Sequence, residues 1–447
     1  MLTDVFHRAE ALRCQSRTLR LGLAALATVV ANDTSTAQKT ESIETPPPNI
    51  LLIIADDHGY PYLRAMGDKT VITPNIDRLV EGGTTFRIGY NTGSVCQPSL
   101  ATLLNGSEPY PRSYGRRQNL GPAAESSLPA LLTKRGYKSF QAGKYWGTNY
   151  TRGGFSGGTK GKDLQGGKFV RAMGGAEGLK VGQTTMAPVY DFLNEVGDDP
   201  FFLWFAPALP HGPWDPPERY RELYRDAPID ATAVEYYATL SWLDDSVGNL
   251  VDYLEHRGLR ENTLIVYLSD NGMGPFDFEQ YPTSGPRSKS TMFELGLRTP
   301  IAFNWPGHVP AGVLRDDLVS TLDLYPTLLD YAGIVPPTNR SGRDIRKAID
   351  DGTPVGRDAI VGRARGRMPG FETKEFEENP KTPKLAYFVR DRRWHYVWYN
   401  TLGLEVLFDL HQDPKELVDV ASEHPDVIER FREKIEAWKS EPAPGSS

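Results

Sequence analysis

Three apolar runs constrain this chain more than any other feature: Asn49–Ala55 (Asn-Ile-Leu-Leu-Ile-Ile-Ala), Phe201–Ala206 and Thr263–Ser269. Each is short and continuous, the pattern of a strand buried on both faces of a parallel sheet. Helical periodicities lie between them, at 76–82, 127–136, 187–196 and 234–258. Alternating strands and helices imply an α/β fold with a doubly wound, mainly parallel sheet, whose ligands bind beyond the C-terminal strand ends. The polar clusters fall at such ends: Asp56-Asp57-His58-Gly59 follows the first run and Asp270-Asn271-Gly272 the third.

After this main region the pattern changes. Tyr387 and Val389, then Trp394, Tyr396 and Trp398, alternate as antiparallel strands do, and 424–438 reads as a helix. A smaller C-terminal antiparallel-sheet-plus-helix subdomain is expected over 351–447, beside a main domain over 49–350. The Gly-rich stretch 153–182, with Lys160, Lys162, Lys168, Arg171 and Lys180, reads as a long loop, and 340–383 as irregular.

The N-terminus carries Arg13, Arg17 and Arg20, then the apolar run 21–31 and the small residues Ser35-Thr36-Ala37. That is the layout of a secretory signal peptide over 1–37, followed by a linker over 38–48. The run is too short to span a bilayer and no other candidate exists, so the expectation is an exported protein, periplasmic or secreted, without a membrane span. Of the two cysteines, Cys14 lies within the signal, leaving Cys96 alone in the mature chain. Disulfides therefore do not hold this fold together. A net charge of −7 argues against nucleic acid as a partner.

Asp56, Asp57, Asp270 and Asn271 would bring three carboxylates and an amide oxygen into one crevice. Carboxylates that close repel unless a cation neutralises them, and an all-oxygen set suits Ca²⁺, or Mg²⁺, better than zinc. Ser94 to Gly106 reads as a loop entering a helix, with Cys96 at its N-terminus, where free N–H groups favour an anion. Lys144, His211 and Lys289 each lie in a strand-end or loop context. Singly, a lone cysteine is usually a small core residue and a lone lysine a surface charge; the order of all these residues along the chain is the informative part.

Together they resemble the type I sulfatases of the alkaline-phosphatase-like superfamily. The family signature, Cys-x-Pro-Ser-Arg followed by an apolar helix and Thr-Gly, is matched by Cys96, Pro98, Ser99 and Gly106, while Leu100 replaces the arginine. The resemblance covers 49 to about 331 and again 405–421, and marks the main domain as sulfatase-like and catalytic. It implies oxidation of Cys96 to formylglycine by a formylglycine-generating enzyme, and a metal held by Asp56, Asp57, residue 96, Asp270 and Asn271. Lys144, His211 and Lys289 become substrate-binding and catalytic residues that assist the departing alcohol of a sulfated small molecule or glycan. Trp146 stands where the family has a histidine, and the charge missing at Leu100 is expected from Arg64 or from Arg112, Arg116 or Arg117. Two rival functions remain: a phosphodiesterase or phosphonate monoester hydrolase of the same superfamily, and a non-catalytic glycan-binding homologue.

Overall fold

The computed structural model describes residues 46–109, 125–145, 149–159, 175–274, 287–371 and 384–441. Along the main domain run β1 (Asn49–Ala55), β2 (Thr84–Tyr90), β3 (Lys138–Gly143), β4 (Gly157–Gly158), β5 (Phe201–Ala206), β6 (Thr263–Ser269), β7 (Ile301–Asn304) and β8 (Val313–Ser320). They form one sheet in the order β4-β3-β5-β1-β6-β7-β2-β8. Every pairing is parallel except those of β7, which runs antiparallel to both β6 and β2.

The continuous apolar strands are explained by two cores rather than one. In β1, Ile50, Leu52 and Ile54 enter the core on one face of the sheet, and Leu51, Ile53 and Ala55 the core on the other. Phe202 and Trp204 of β5 and Leu264, Val266 and Leu268 of β6 join the first; Leu203 and Phe205, with Ile265 and Tyr267, join the second. The period of two is intact, but both faces are dry, so no polar residue marks it. Each such side chain contributes about 1.5–3 kcal/mol by leaving water. The long helix Ala231–His256, capped by Asp230 onto Ala233 N–H, covers the second core with Leu243, Val247, Leu250 and Leu254.

A second, antiparallel sheet comprises β9 (Ala359–Arg365), β10 (Leu385–Asp391), β11 (Trp394–Tyr399) and β12 (Leu404–Asp409), in the order β12-β11-β10-β9. One face carries Phe388, Val397, Tyr399 and Phe408 against Tyr90, Met292, Phe293 and Leu318 of the main domain. The other carries Tyr387, Val389, Tyr396 and Leu407 under the helix Pro425–Ser440. Both sheets belong to one structural unit, Pro46–Ser447.

The doubly wound sheet with a smaller antiparallel-sheet-plus-helix region is therefore the fold that the sequence implied. Parts of the two stretches read as irregular are ordered: β4 and the helix Gly175–Lys180 fall within 153–182, and the helix Arg346–Asp350 and β9 within 340–383. Residues 1–37, and the linker up to 45, lie outside the described residues, as do 160–174 with Lys160, Lys162, Lys168 and Arg171. Among the described residues no helix is long and apolar enough to cross a membrane.

Candidate active site

The sheet delivers the chemistry by where its strands stop. β1 and β6 are neighbours in register to their last residues, Ala55 opposite Ser269, and Asp270 N–H donates to Ala55 O at 3.0 Å. Asp56 and Asp270 therefore emerge side by side. β3 ends at Gly143, whose φ is 92° and where a Cβ would collide with the Ala206 carbonyl, so glycine is needed to turn the chain out of the sheet at Lys144. Cys96 opens the helix Cys96–Asn105, whose N-cap, Val95, supplies no capping side chain. Ser99 Oγ donates to Gly93 O at 2.9 Å, holding the preceding loop against the helix.

Asp57 has a left-handed backbone, φ 72°, a conformation that costs about 1–3 kcal/mol for a residue other than glycine and clusters at functional sites. It is held by Tyr236, whose hydroxyl donates to Asp57 O at 3.0 Å and accepts from Gly59 N–H at 3.0 Å. Ser290, next to Lys289, has φ 69°; its N–H donates to Ser94 O at 2.8 Å, tying the Lys289 turn to the loop before Cys96.

Asp56, Asp57, Cys96 and Asp270 are buried, with one potential ligand atom from each lying within 4.8 Å of all the others. Cys96 Sγ is 3.7 Å from Asp56 Oδ1 and 4.0 Å from Asp57 Oδ1. Lys144 Nζ contacts Asp56 Oδ1 and reaches Asp270 Oδ2 at 3.1 Å. Lys289 Nζ is 2.5 Å from Asp57 Oδ1. His211 stands at the rim, a quarter exposed, with Nε2 3.7 Å from Asp57 Oδ2. Its Nδ1 faces Gly212 O, an acceptor, so the ring proton is assigned to Nδ1 and Nε2 points inward. All eight residues singled out from sequence converge here.

The electrostatics separate the carboxylates. Burial opposes ionisation of Asp57, yet the charges of Lys289, His211 and Lys144 hold its carboxyl below the usual range. Asp270 is pushed up to about 6, by burial first and by Asp56 and Asp57 next, against the pull of Lys144. Burial works against the ammonium of Lys144, but Asp270 and Asp56 more than compensate and raise it well above its ordinary value. Burial, then Asp270, pushes the Cys96 thiol up, so an unmodified thiol here stays protonated.

Two acceptors point toward a cation. Asp56 Oδ2 and Asn271 Oδ1 are buried without a hydrogen-bond partner, while Asn271 Nδ2 is satisfied by Asp57 Oδ1. Orphaned oxygens beside three carboxylates fit a hard divalent cation, which would accept them as ligands.

Some expectations do not hold. Arg64 does not supply the missing charge: it is largely exposed, 3.4 Å from Asp77. Leu100 is packed into the core with Leu103 and Leu104. Among the described residues, the cationic side chains touching the carboxylates are Lys144, Lys289 and His211. Trp146, Arg112, Arg116 and Arg117 lie outside the described residues. Tyr236 and the buried His58, bonded to Tyr267 OH at 2.6 Å and Tyr62 O at 2.8 Å, were not foreseen. Local sequence carries no signal for Tyr236; His58 had one, its place directly after the aspartates.

Comparison with known proteins gives this geometry a family. The sulfatase profile matches residues 48–334, and that of the N-sulphoglucosamine sulphohydrolase C-terminal region matches 285–441. N-acetylgalactosamine-6-sulfatase of Homo sapiens is 30% identical over 343 residues, 66% of this chain and 64% of that protein, so the match spans just under two thirds of its length. Arylsulfatase A of Homo sapiens is 31% identical over 349 residues, 67% of each chain. Among solved structures, Ps i-CgsB bound to a neocarrahexaose has a TM-score of 0.70 at 23% identity, covering 89% of this chain and 94% of that one. A phosphonate monoester hydrolase of Agrobacterium radiobacter has a TM-score of 0.64 at 21% identity, covering 88% and 96%. At such identities the structural likeness speaks for the fold alone; the sequence matches go further, and the chain belongs to the type I sulfatase family of the alkaline-phosphatase-like superfamily.

Proposed function

We propose that this protein is a sulfuric ester hydrolase acting on a sulfated carbohydrate or related small ester. The observation that carries the reading is the buried set Asp56, Asp57, residue 96 and Asp270 at a helix N-terminus, flanked by two lysines and an inward-facing histidine nitrogen. Asp56, Asp57, Asp270 and Asn271 would hold Ca²⁺, or Mg²⁺, which supplies Lewis acidity toward the sulfate oxygens. With Cys96 converted to formylglycine by a maturation enzyme, residue 96 offers an oxygen nucleophile where the protonated thiol offers none.

The chain's own residues then have distinct tasks. Lys144 and Lys289 keep their ammonium charges and offset negative charge gathering on the transferred group. His211, its Nδ1–H held by Gly212 O, presents Nε2 to the leaving oxygen and, in its imidazolium form, gives that oxygen the Nε2 proton. Asp57, kept ionised by its cations, orients both Lys289 and Asn271. The N-terminal charge and apolar pattern supports export to the periplasm or the exterior.

The test is one aryl alcohol presented as its sulfate, its phosphate diester and its phosphonate ester. Preference for the sulfate, abolished by Cys96→Ala, is expected; preference for a phosphorus ester selects the rival hydrolase. Leu100 in the arginine position favours a second reading, a glycan-binding homologue, which requires binding without turnover by metal-loaded protein.

A further inference from the structure

A cleft of about 680 Å³ lies between the main sheet and the C-terminal subdomain, and five arginines line it against two acids, Glu294 and Asp316. None of the active-site residues named above lines it. The acids do not cancel the charge. Asp316 is taken by Arg87, at 2.9 and 2.6 Å, while Glu294 alone serves both Arg390, at 2.8 Å, and Arg298, at 3.1 Å. Arg64 leans toward Asp77, which does not line the cleft, and Arg392 is exposed with no ion pair or hydrogen bond among the described residues.

The cleft also continues past Arg392 into a cavity of about 500 Å³, where Arg357, Arg393 and Arg430 outnumber Asp358 and Asp391 beside Trp394; the cavity of about 360 Å³ that adjoins it past Arg64 is acidic, with Asp68, Asp77 and Glu81 against Lys69, and ends the basic lining. This is a track rather than a pocket, and its charge is carried by guanidinium groups, whose planar forks match pairs of oxyanion oxygens. Flat surfaces accompany the forks: Arg298 lies over the Tyr60 ring at 4.5 Å and Arg393 over Trp394 at 4.4 Å. Tyr60, which lines the cleft, follows Asp57 by three residues in the chain.

We propose that this track binds an extended sulfated polysaccharide, holding the polymer outside the catalytic pocket. The proposal rests on the hydrolase reading for its biological sense and on the cleft alone for its geometry. Length favours a polymer over a free anion, and the sulfate-ester chemistry proposed for the carboxylate cluster favours a sulfated polysaccharide over a nucleic acid, which the DNA control below tests.

The experiment is salt-dependent binding of a size-defined heparin oligosaccharide, with a single-stranded DNA oligonucleotide of matched charge as control and aryl-sulfate turnover measured in parallel. Arg64 and Arg392 are exposed, so their reversal leaves the fold intact. The R64E/R392E variant is expected to bind the oligosaccharide about tenfold more weakly or worse, with R392K weakened less, since it keeps the charge and loses the fork, and aryl-sulfate kcat/KM unchanged in all. Unchanged binding on charge reversal, absence of binding by the wild type, or equal binding of the DNA overturns the proposal. Binding that follows this pattern in metal-loaded, formylglycine-containing protein that hydrolyses neither aryl nor sugar sulfate supports the track and instead rejects the hydrolase reading.

Discussion

Asn271 donates its amide nitrogen to Asp57 Oδ1 at 2.7 Å, and its own carbonyl oxygen is left buried with no partner. An amide that spends its donor on one carboxylate and aims its acceptor into a cluster of others is oriented for a cation. Chelator-treated protein should therefore unfold at lower temperature than protein supplied with Ca²⁺. Calcium at a hundredfold excess over its dissociation constant stabilises by about 2.7 kcal/mol. Elemental analysis should find less bound metal in Asp270→Ala; equal content would remove Asp270 from the site.

Position 96 decides the chemistry. The peptide containing it, recovered from protein made in the native host and weighed, should have the mass of formylglycine rather than cysteine. Cys96→Ala should lower sulfate-ester turnover by about a thousandfold or more, while leaving thermal stability nearly unchanged. A fully active Cys96→Ala enzyme would reject the mechanism.

His211→Ala should lower kcat by about 10²–10⁴-fold for a sugar sulfate, whose alkoxide leaves poorly without a proton. For a nitrophenyl sulfate, whose leaving group needs little protonation, the loss should be much smaller. Equal losses on both substrates would mean that His211 positions and does not protonate.

Arg390 on β10 and Glu294, at the start of the helix Glu294–Leu297, form a buried ion pair that joins the second sheet to the main domain. Burial disfavours the Glu294 charge, but Arg390 and Arg298 hold the carboxyl below its usual range. Arg390→Met should cost about 3–5 kcal/mol in urea unfolding, because it strips an interior carboxylate of a partner. Adding Glu294→Gln should restore part of that loss.

Asp244, on the long helix, accepts from Ile76 N–H at 2.7 Å and Asn75 N–H at 3.2 Å, thereby capping the helix Pro74–Glu81. Burial raises its carboxyl from 3.8 to about 6, despite those hydrogen bonds. A folded-state value above the unfolded one contributes stability that is complete below pH 3.8 and lost as pH rises through about 6. The stability advantage of wild type over Asp244→Asn should thus be greater at about pH 4.5 than at about pH 7.5, by about 1–3 kcal/mol. An advantage that does not change with pH would refute the assignment.

β1 and β6 were legible because each is apolar throughout and ends in a polar cluster, and position at a strand end was enough to gather Asp56 and Asp270. β9 was not, since Gly362, Arg363 and Arg365 break any apolar pattern and its ladder is supplied by β10. β7 is only Ile301–Asn304, too short for a period to declare a direction. Tyr236 reaches Asp57 across 179 positions, a contact that only the packing of the long helix creates. Arg64, one of four arginines named for the charge missing at Leu100, sits in the 3₁₀ turn Arg64–Met66 and pairs with Asp77 instead, a contact that the sequence does not signal.

Because β7 opposes β6, with Tyr267 paired to Ala302, the chain leaves the sheet after Ser269 and re-enters at Ile301 on the same edge. A parallel β7 would have required a crossover of fixed minimum length along the sheet. Here the chain comes back on the side it left, so Asp270, just past the end of β6, and Lys289, on the way back to β7, reach the same end of the sheet without any element crossing it.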